Sequence, residues 1–209
     1  AASVILPPDS FIRSPHFWLE MMGRYQATHT AAPNFAFDYC CSSIQADDVK
    51  GLSLRSLQAI ICGAEAVRKE TYEHFFESFQ KLGLKEHIFS PHYGMSEMGS
   101  ASTLRPGQPI RFLLLDIQSL EKGIIALTDQ TTKSKSVISC GEIDDDARIV
   151  CVNGENGRLC LSDEVGEIWI KSPSITAGYL NQPEETGKTF GGTLEESGET
   201  GFFRTGESG

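Results

Sequence analysis

The chain has 209 residues, of which 40% are hydrophobic and 22% charged, a composition typical of globular proteins with one large or two small domains. Its net charge of −10 argues against nucleic acid and anionic membranes as main partners, because both require clustered lysine and arginine. We find no signal peptide, and no apolar run is long enough to span a bilayer.

The six cysteines show no metal or redox motif. None forms a C-x-x-C pair, and no cysteine and histidine cluster has zinc-binding spacing. Several lie in apolar, strand-like runs, as Cys62 and Cys151 do. We therefore expect free, buried thiols and a cytoplasmic location.

The first half alternates between helix and strand patterns. In chain order we predict a helix over 17–25, a strand over 27–30, a helix from Pro33, a strand over 57–62, a helix over 72–79 and a strand from 87–89. This order predicts an α/β subdomain over residues 1–105, with a parallel, doubly wound sheet. Ligands of such sheets bind beyond the carboxyl ends of the strands.

Residues 106–209 have a different pattern, in which short strands are separated by turn signals such as Asn153-Gly154 and Asn156-Gly157. The predicted strands are 110–117, 124–127, 136–139, 149–152, 158–161 and 165–171. We therefore expect a β-rich, barrel-like subdomain.

The segment Tyr93-Gly94-Met95-Ser96-Glu97 is the most informative motif. It offers a ring for a base, a glycine for close backbone approach, a hydroxyl for a phosphate and a carboxylate for Mg²⁺. A nucleotide site with Ser96 and Glu97 in catalytic roles is one interpretation. A packed aromatic residue followed by a surface turn is the other.

Two further segments suit a nucleotide. Gly63-Ala64-Glu65 follows a buried strand and would let the backbone approach adenine, with Glu65 at the rim; the alternative is a tight strand exit in which Glu65 pairs with Arg68. Glu207, near the end of the chain, would accept hydrogen bonds from ribose hydroxyls. The segments around Glu167 and Tyr179 favour a structural interpretation.

No G-x-S-x-G, G-x-G-x-x-G or P-loop motif is present, which argues against hydrolases, dehydrogenases and kinases.

Together these motifs resemble the AMP-forming adenylation superfamily of acyl-CoA synthetases, peptide-synthetase adenylation domains and luciferases. The segments 17–28 and 32–37, and the long stretch over about 100–136, look most like fatty acyl-AMP ligases, which carry an insertion at that point. An ordinary variable loop with a β-hairpin is the alternative for that stretch. Where the family has Thr-Gly-Asp, this chain has Glu207, one methylene longer, which puts ribose binding in doubt.

The resemblance implies that ATP and Mg²⁺ are used to convert a fatty acid into acyl-AMP and pyrophosphate, and that the acyl group then passes to an acyl carrier protein or polyketide synthase. Asn34, Phe35 and Phe37 would line the acyl pocket, although Phe residues on a helix also pack cores. The family's phosphate loop and catalytic lysine are not recognisable, so we expect a central fragment of the large N-terminal domain, inactive alone. An acyl-CoA synthetase and a non-catalytic adenylate-binding relative are the alternatives.

Overall fold

The computed structural model describes residues 2–209 and contains two compact units. The first comprises the residues up to His92, together with Leu104–Arg111 and Ile138–Gly141. The second comprises Tyr93–Thr103, Phe112–Val137 and Glu142–Gly209. The domain division at residue 105 stays a prediction.

The first unit contains α-helices and a parallel sheet. The helices are α1 (Pro8–Arg13), α2 (His16–Arg24), α3 (Asn34–Ser43) and α4 (Lys69–Phe79). The strands are β1 (His29–Ala32), β2 (Ala59–Cys62) and β3 (Phe89–Met95), whose end continues into the second unit. Strand β2 lies between β1 and β3 and pairs in parallel with both, with Ile60 opposite Thr30 and Phe89. The parallel sheet predicted from the apolar runs is confirmed.

The core of the first unit follows from the apolar stripe of α4. Phe75 and Phe79 are buried, while Tyr72 and Phe76 on the flank of the stripe are half-buried against the same cluster. The helix passes through a 3₁₀ turn and ends at Gly83, which has a left-handed φ of 94°. Helix α1 and a two-residue shift of β1 toward its carboxyl end were not predicted.

The second unit is rich in antiparallel strands. Its elements are β4 (Gly99–Thr103), β5 (Phe112–Asp116), α5 (Ile117–Leu120), β6 (Ser134–Ile138), β7 (Glu142–Ile143), β8 (Arg148–Val152), β9 (Glu167–Lys171), α6 (Pro183–Phe190), β10 (Gly192–Thr193) and β11 (Thr200–Ser208). A four-stranded sheet has the order β10-β11-β9-β8, β5 pairs with β6, and β4 pairs antiparallel with β7. The α/β class with a β-rich second part is confirmed, but the sheets of residues 2–209 are open and do not close into a barrel.

Two segments predicted as strands form only isolated bridges. Residues 124–127 change partner within four residues, from Glu164 to Leu115, so no ladder develops. In residues 158–161, Leu159 forms a bridge with Val152, but the pairing does not continue to Leu161. The Leu161 backbone N–H instead donates to the Glu164 carboxylate at 2.9 Å. A side-chain acceptor therefore replaces the next strand bond.

The stretch over residues 100–136 has secondary structure of its own. Helix α5 begins at an Asp116 cap, whose carboxylate accepts the Ser119 N–H at 2.8 Å. Leu115 is buried, whereas Leu113 is 52% exposed. The assignment of this stretch as a ligase-type insertion stays a prediction.

Candidate functional site

The Tyr93–Glu97 motif lies at the end of β3 and in the turn that leads into β4. The turn is closed by the Met98 N–H, which donates to the Met95 carbonyl at 3.1 Å. Tyr93 and Met95 pack against a small core formed by Met98, Ala101 and Ile170. Ser96 is exposed at the tip of the turn. Both sequence interpretations of Tyr93 are compatible with this placement, because its ring is only partly buried.

The Glu97 side chain is held by a residue that follows it by 82 positions. The Tyr179 hydroxyl donates to Oε1 of Glu97 at 2.8 Å, and the Thr176 N–H donates to the Glu97 carbonyl at 2.8 Å. The hydrogen bond to Glu97 raises the pKa of Tyr179. The carboxylate therefore has a fixed orientation, with its second oxygen available to a ligand.

The Thr205-Gly206-Glu207 segment is built into the end of β11. Thr205 Oγ1 donates to the Ile168 carbonyl at 2.8 Å and accepts the Glu207 N–H at 3.0 Å. Gly206 has a left-handed φ of 71°, which a residue with a side chain adopts only at a cost. Glu207 is exposed.

Glu167, on the neighbouring strand β9, binds this segment through both of its oxygens. Oε1 accepts the Gly206 N–H at 3.1 Å, and Oε2 accepts from Nη2 of Arg204 at 3.2 Å. The Arg204 guanidinium also lies over the Trp169 ring, 5.3 Å from its centroid. Burial of Glu167 opposes its ionisation, but the nearby Trp169 indole and the hydrogen bonds from the Gly206 N–H and Arg204 outweigh burial and lower the pKa of the carboxyl group.

A cavity of about 490 Å³ in the second unit brings several of these residues together. Of the residues singled out in the sequence, it is lined by Met95, Glu97 and Glu207. Its other charged lining residues are Glu167, Glu185, Lys188 and Arg204. Four carboxylates against two cations suit hydroxyl groups and a metal ion better than bare phosphates, which are themselves anionic.

The carboxylates of the cavity do not form a preformed metal centre. Among residues 2–209, no group of three or more His, Cys, Asp or Glu side chains is arranged to hold a metal ion. Mg²⁺ often takes only one or two protein carboxylates and completes its shell with substrate phosphates and water. The single Glu97 carboxylate fits this second pattern.

In the first unit, Gly63-Ala64-Glu65 leaves β2 in a strained turn. A Cβ at Gly63 would lie 2.8 Å from the His92 carbonyl oxygen, and Ala64 has a left-handed φ of 64°. Glu65 Oε1 accepts the Phe35 N–H at 3.3 Å, while Arg68 pairs with Asp38 rather than with Glu65. The glycine is thus required by close backbone packing.

The three residues expected to line an acyl pocket have different environments. Asn34 is fully buried: Nδ2 donates to the Ala66 carbonyl at 2.8 Å, and Oδ1 accepts the Arg68 N–H at 3.0 Å. Phe37 is fully buried in the core, with its ring centroid 5.0 Å from that of Phe75. Phe35 is 58% exposed and lines a separate cavity of about 820 Å³.

That second cavity is mostly apolar. Its lining includes Trp18, Met21, Tyr25, Ala31 and Phe35, from α2, β1, α3 and the connection between α2 and β1. A cavity of this size and composition accommodates a small apolar ligand or an alkyl chain.

Comparison with known proteins gives the family. The sequence profile of the AMP-binding enzyme family matches residues 1–180. The chain belongs to this family. Strand β9 and the Tyr179 segment fall inside the matched region, whereas Glu207 lies beyond it.

Individual relatives indicate a branch of the family. The chain is 38% identical over 209 residues to the medium-chain-fatty-acid–[acyl-carrier-protein] ligase JamA of Moorena producens (strain JHB), covering 98% of this chain and 35% of that protein. It is 30% identical over 212 residues to the long-chain-fatty-acid–AMP ligase FadD23 of Mycobacterium tuberculosis (strain CDC 1551 / Oshkosh), covering 99% of this chain and 36% of that protein. The chain therefore spans about a third of the length of these relatives.

A solved structure agrees with the sequence relatives. The fatty acyl-adenylate ligase from L. pneumophila, in complex with acyl adenylate and pyrophosphate, superposes with a TM-score of 0.91 and 34% sequence identity. The superposition covers 97% of this chain and 35% of that protein. The resemblance stated from the motifs is thus confirmed at the level of the AMP-binding family and its fold.

Glu167 and Tyr179 were interpreted from the sequence as structural, yet both line the cavity. For Glu167 a signal was available. Alternate residues of a strand face the same side, so Glu167 shares a face with the buried Trp169. A charged residue on a buried face requires a partner, which makes it a candidate for a specific role. Tyr179 carried no comparable signal.

Proposed function

We propose that the complete protein is a fatty acyl-AMP ligase. The fatty acid carboxylate attacks the α-phosphorus of ATP, the bond from that phosphorus to the β-phosphate oxygen breaks, and pyrophosphate leaves. The thiol of a carrier-bound phosphopantetheine then attacks the acyl carbon, and AMP leaves as the thioester forms. The observation that carries the proposal is the cavity that combines Met95, Glu97 and Glu207, and the named activities of the relatives support it.

In this proposal the nucleotide is bound by the three segments that the sequence analysis singled out for it. Gly63, Ala64 and Glu65 contact the adenine ring, and Tyr93, Gly94, Met95 and Ser96 lie along the base and phosphates. Glu207 accepts hydrogen bonds from the ribose hydroxyls. Ser96 and Glu97 are the catalytic pair, supported by their place in the turn between β3 and β4.

Mg²⁺ would be held by Glu97, whose orientation Tyr179 fixes. When bound, the ion neutralises phosphate charge, which the acidic lining of the cavity does not do by itself. The residues of the chain otherwise act by positioning the substrates and by excluding water.

The fatty acid chain occupies the apolar cavity of the first unit, where Phe35 contacts it. Asn34 and Phe37 contribute by shaping the wall: Asn34 holds the 66–68 backbone, and Phe37 packs the core beneath α3. All six cysteines are free thiols, as in proteins of a reducing, cytoplasmic setting. Burial raises the pKa of Cys40 and Cys62 to about 12, so these two thiols stay protonated. No helix in the described chain, residues 2–209, has the length and apolar character to cross a membrane.

The proposal is tested by incubating the complete protein with ATP, Mg²⁺ and a panel of fatty acids. Three parallel reactions contain no acceptor, CoA, or a phosphopantetheinylated acyl carrier protein, and the products are resolved by mass spectrometry. We expect acyl-AMP that accumulates without acceptor, persists with CoA and is consumed by the carrier protein. Efficient acyl-CoA formation would assign the protein to the synthetases instead. Absence of acyl-AMP with every acid would favour a non-catalytic adenylate-binding protein.

A further inference from the structure

Glu167 controls the backbone from which Glu207 projects. Its side chain is only 16% exposed, and its two oxygens accept from two residues just before Glu207, namely Gly206 and Arg204. A buried carboxylate is costly unless it is paired and hydrogen-bonded, as this one is. The pairing joins the first residue of β9 to the end of β11.

The register of the two strands shows what this pairing accomplishes. Arg204 lies opposite Trp169, and Ser208 lies opposite Glu167, so β11 advances four positions while β9 advances two. The extra residues form a bulge over Thr205–Glu207, in which Gly206 has its left-handed φ. Bulges of this kind re-aim a side chain relative to a regular strand.

The backbone N–H groups of Gly206 and Glu207 both have a side-chain acceptor in this bulge. Glu167 accepts from Gly206, and Thr205 Oγ1 accepts from Glu207 while donating to the Ile168 carbonyl. The exposed Glu207 side chain is therefore presented to the cavity from a fixed backbone.

We propose that Glu167 is a positioning residue that sets the Glu207 carboxylate against the ribose hydroxyls of ATP. This inference rests on the proposed function. Glu167 itself acts through the bulge, so its removal is expected to change how well the protein recognises ribose more than it changes the rest of nucleotide binding.

The test uses Glu167→Gln in the complete protein. Gly206 and Arg204 donate to different oxygens of Glu167, so in the Gln side chain one of these two donors faces an NH2 group in place of an acceptor. Acyl-AMP formation is measured with ATP and with 2′-deoxy-ATP, and the ratio of kcat/KM for the two nucleotides is the readout. We expect the wild-type preference for ATP to fall about tenfold or more in Glu167→Gln, the scale of one hydrogen bond to a charged group.

A matched control is available in the same unit. Glu164 also accepts one backbone N–H, from Leu161 at 2.9 Å, and one guanidinium, from Arg158 at 2.8 Å, but it is not among the residues that line the cavity. Glu164→Gln is expected to keep the wild-type ratio. Glu207→Ala should abolish the preference, and adding Glu167→Gln to it should lower the ratio no further.

A Glu167→Gln variant that loses activity equally with both nucleotides, with the ratio unchanged, overturns the inference and leaves Glu167 with a purely structural role. If that variant does not fold, Glu167→Asp replaces it, since it keeps the charge and withdraws the carboxylate from Gly206 and Arg204 by about one carbon–carbon bond, roughly 1.5 Å; an unchanged ratio there overturns the inference too. A wild-type protein that forms no acyl-AMP overturns the proposed function together with this inference. Wild-type activity with an unchanged ratio in the variants overturns the positioning role alone.

Discussion

The hydroxyl of Tyr179 donates a hydrogen bond to Oε1 of Glu97 at 2.8 Å, joining the turn after β3 to the segment before α6. Tyr179 is itself fixed: its N–H donates to Thr186 Oγ1 at 2.9 Å, and its ring meets Phe190 edge-on at 5.3 Å between centroids. One oxygen of Glu97 thereby has a protein donor, and the residue is one of those that line the cavity.

Replacement of Tyr179 by Phe keeps the ring packing and removes this donor. We expect the free Mg²⁺ concentration for half-maximal acyl-AMP formation to rise by about tenfold, the lower end of the effects seen when the support of a metal ligand is lost. The measurement is the rate of acyl-AMP formation against free Mg²⁺ at saturating ATP. Tyr39→Phe, which removes a phenol that donates to the Ile12 carbonyl in the first unit, serves as the control. An unchanged Mg²⁺ curve for Tyr179→Phe would show that Glu97 needs no such support.

The length of the acidic side chain at position 207 is directly testable. Asp at this position withdraws the carboxylate toward the backbone by about one carbon–carbon bond, roughly 1.5 Å. Because the bulge holds the backbone, we expect Glu207→Asp to lower the KM for ATP about three- to tenfold, the range of one improved hydrogen bond. The control is Glu155→Asp, in an exposed turn. A raised KM would mean that the bulge is adapted to the longer Glu.

The buried amide of Asn34 is expected to stabilise the first unit. Asn34→Ala removes the acceptor for the Arg68 N–H and the donor to the Ala66 carbonyl. Leaving these backbone groups without their partner should lower the free energy of unfolding by about 2–4 kcal/mol. Urea denaturation measures the change. Asn156→Ala, which removes an acceptor for the Arg158 N–H in an exposed turn, should cost less than about 1 kcal/mol; equal losses for the two variants would contradict the prediction.

Alanine substitutions at two glycines should change the stability of the protein in opposite directions. Gly63→Ala would bring a methyl group to 2.8 Å from the His92 carbonyl oxygen, so we expect a loss of about 1–3 kcal/mol. Gly187, within α6, has open space around its Cβ position, and Gly187→Ala should add about 0.5–1 kcal/mol through helix propensity. The thermal unfolding midpoints of the two variants and of the wild type measure these changes. A Gly63→Ala protein as stable as the wild type would show that the exit of β2 can relax.

Acid sensitivity should depend on Glu199. Its carboxylate accepts from Lys171 at 3.0 Å and from Arg148. The hydrogen bond from Lys171 is the main cause that lowers the pKa of Glu199, with burial opposing it and Arg148 adding to it. A folded pKa below the unfolded value gives stability that is present above the unfolded pKa of about 4.3 and is lost as the pH falls through the folded pKa.

We therefore expect the wild type to be more stable than Glu199→Gln at pH 7, and this advantage to be lost as the pH falls below the unfolded pKa of about 4.3 and through the lower folded pKa. Unfolding midpoints measured from pH 7 to pH 3 provide the check, with Glu196→Gln in the exposed turn that precedes Glu199 as the control. If the difference in unfolding midpoint between the wild type and Glu199→Gln does not change with pH, the stability does not depend on the ionisation of Glu199 and the prediction is wrong.

Much of the fold was predictable because apolar periodicity is a local property of the sequence. The stripe of α4 and the apolar run of β2 each identify an element without reference to the rest of the chain. The strands over 124–127 and 158–161 were wrong for a complementary reason. Their composition favours strands, but their N–H groups bond to alternating partners or to Glu164, and no local pattern records that choice.

The sequence by itself determined which residue types can bind a nucleotide and, through its ordered motifs, the AMP-binding family. Only the tertiary structure decided how these residues are used. From the sequence, Phe35 and Phe37 are equally good candidates for lining an acyl pocket. Because residues two apart point to nearly opposite sides of a helix, Phe37 is buried in the core and Phe35 lines the cavity. Tyr179 reaches Glu97 and Glu167 reaches Gly206 across 82 and 39 residues. Such hydrogen bonds depend on strand register and on the path of the chain, which local propensity does not encode.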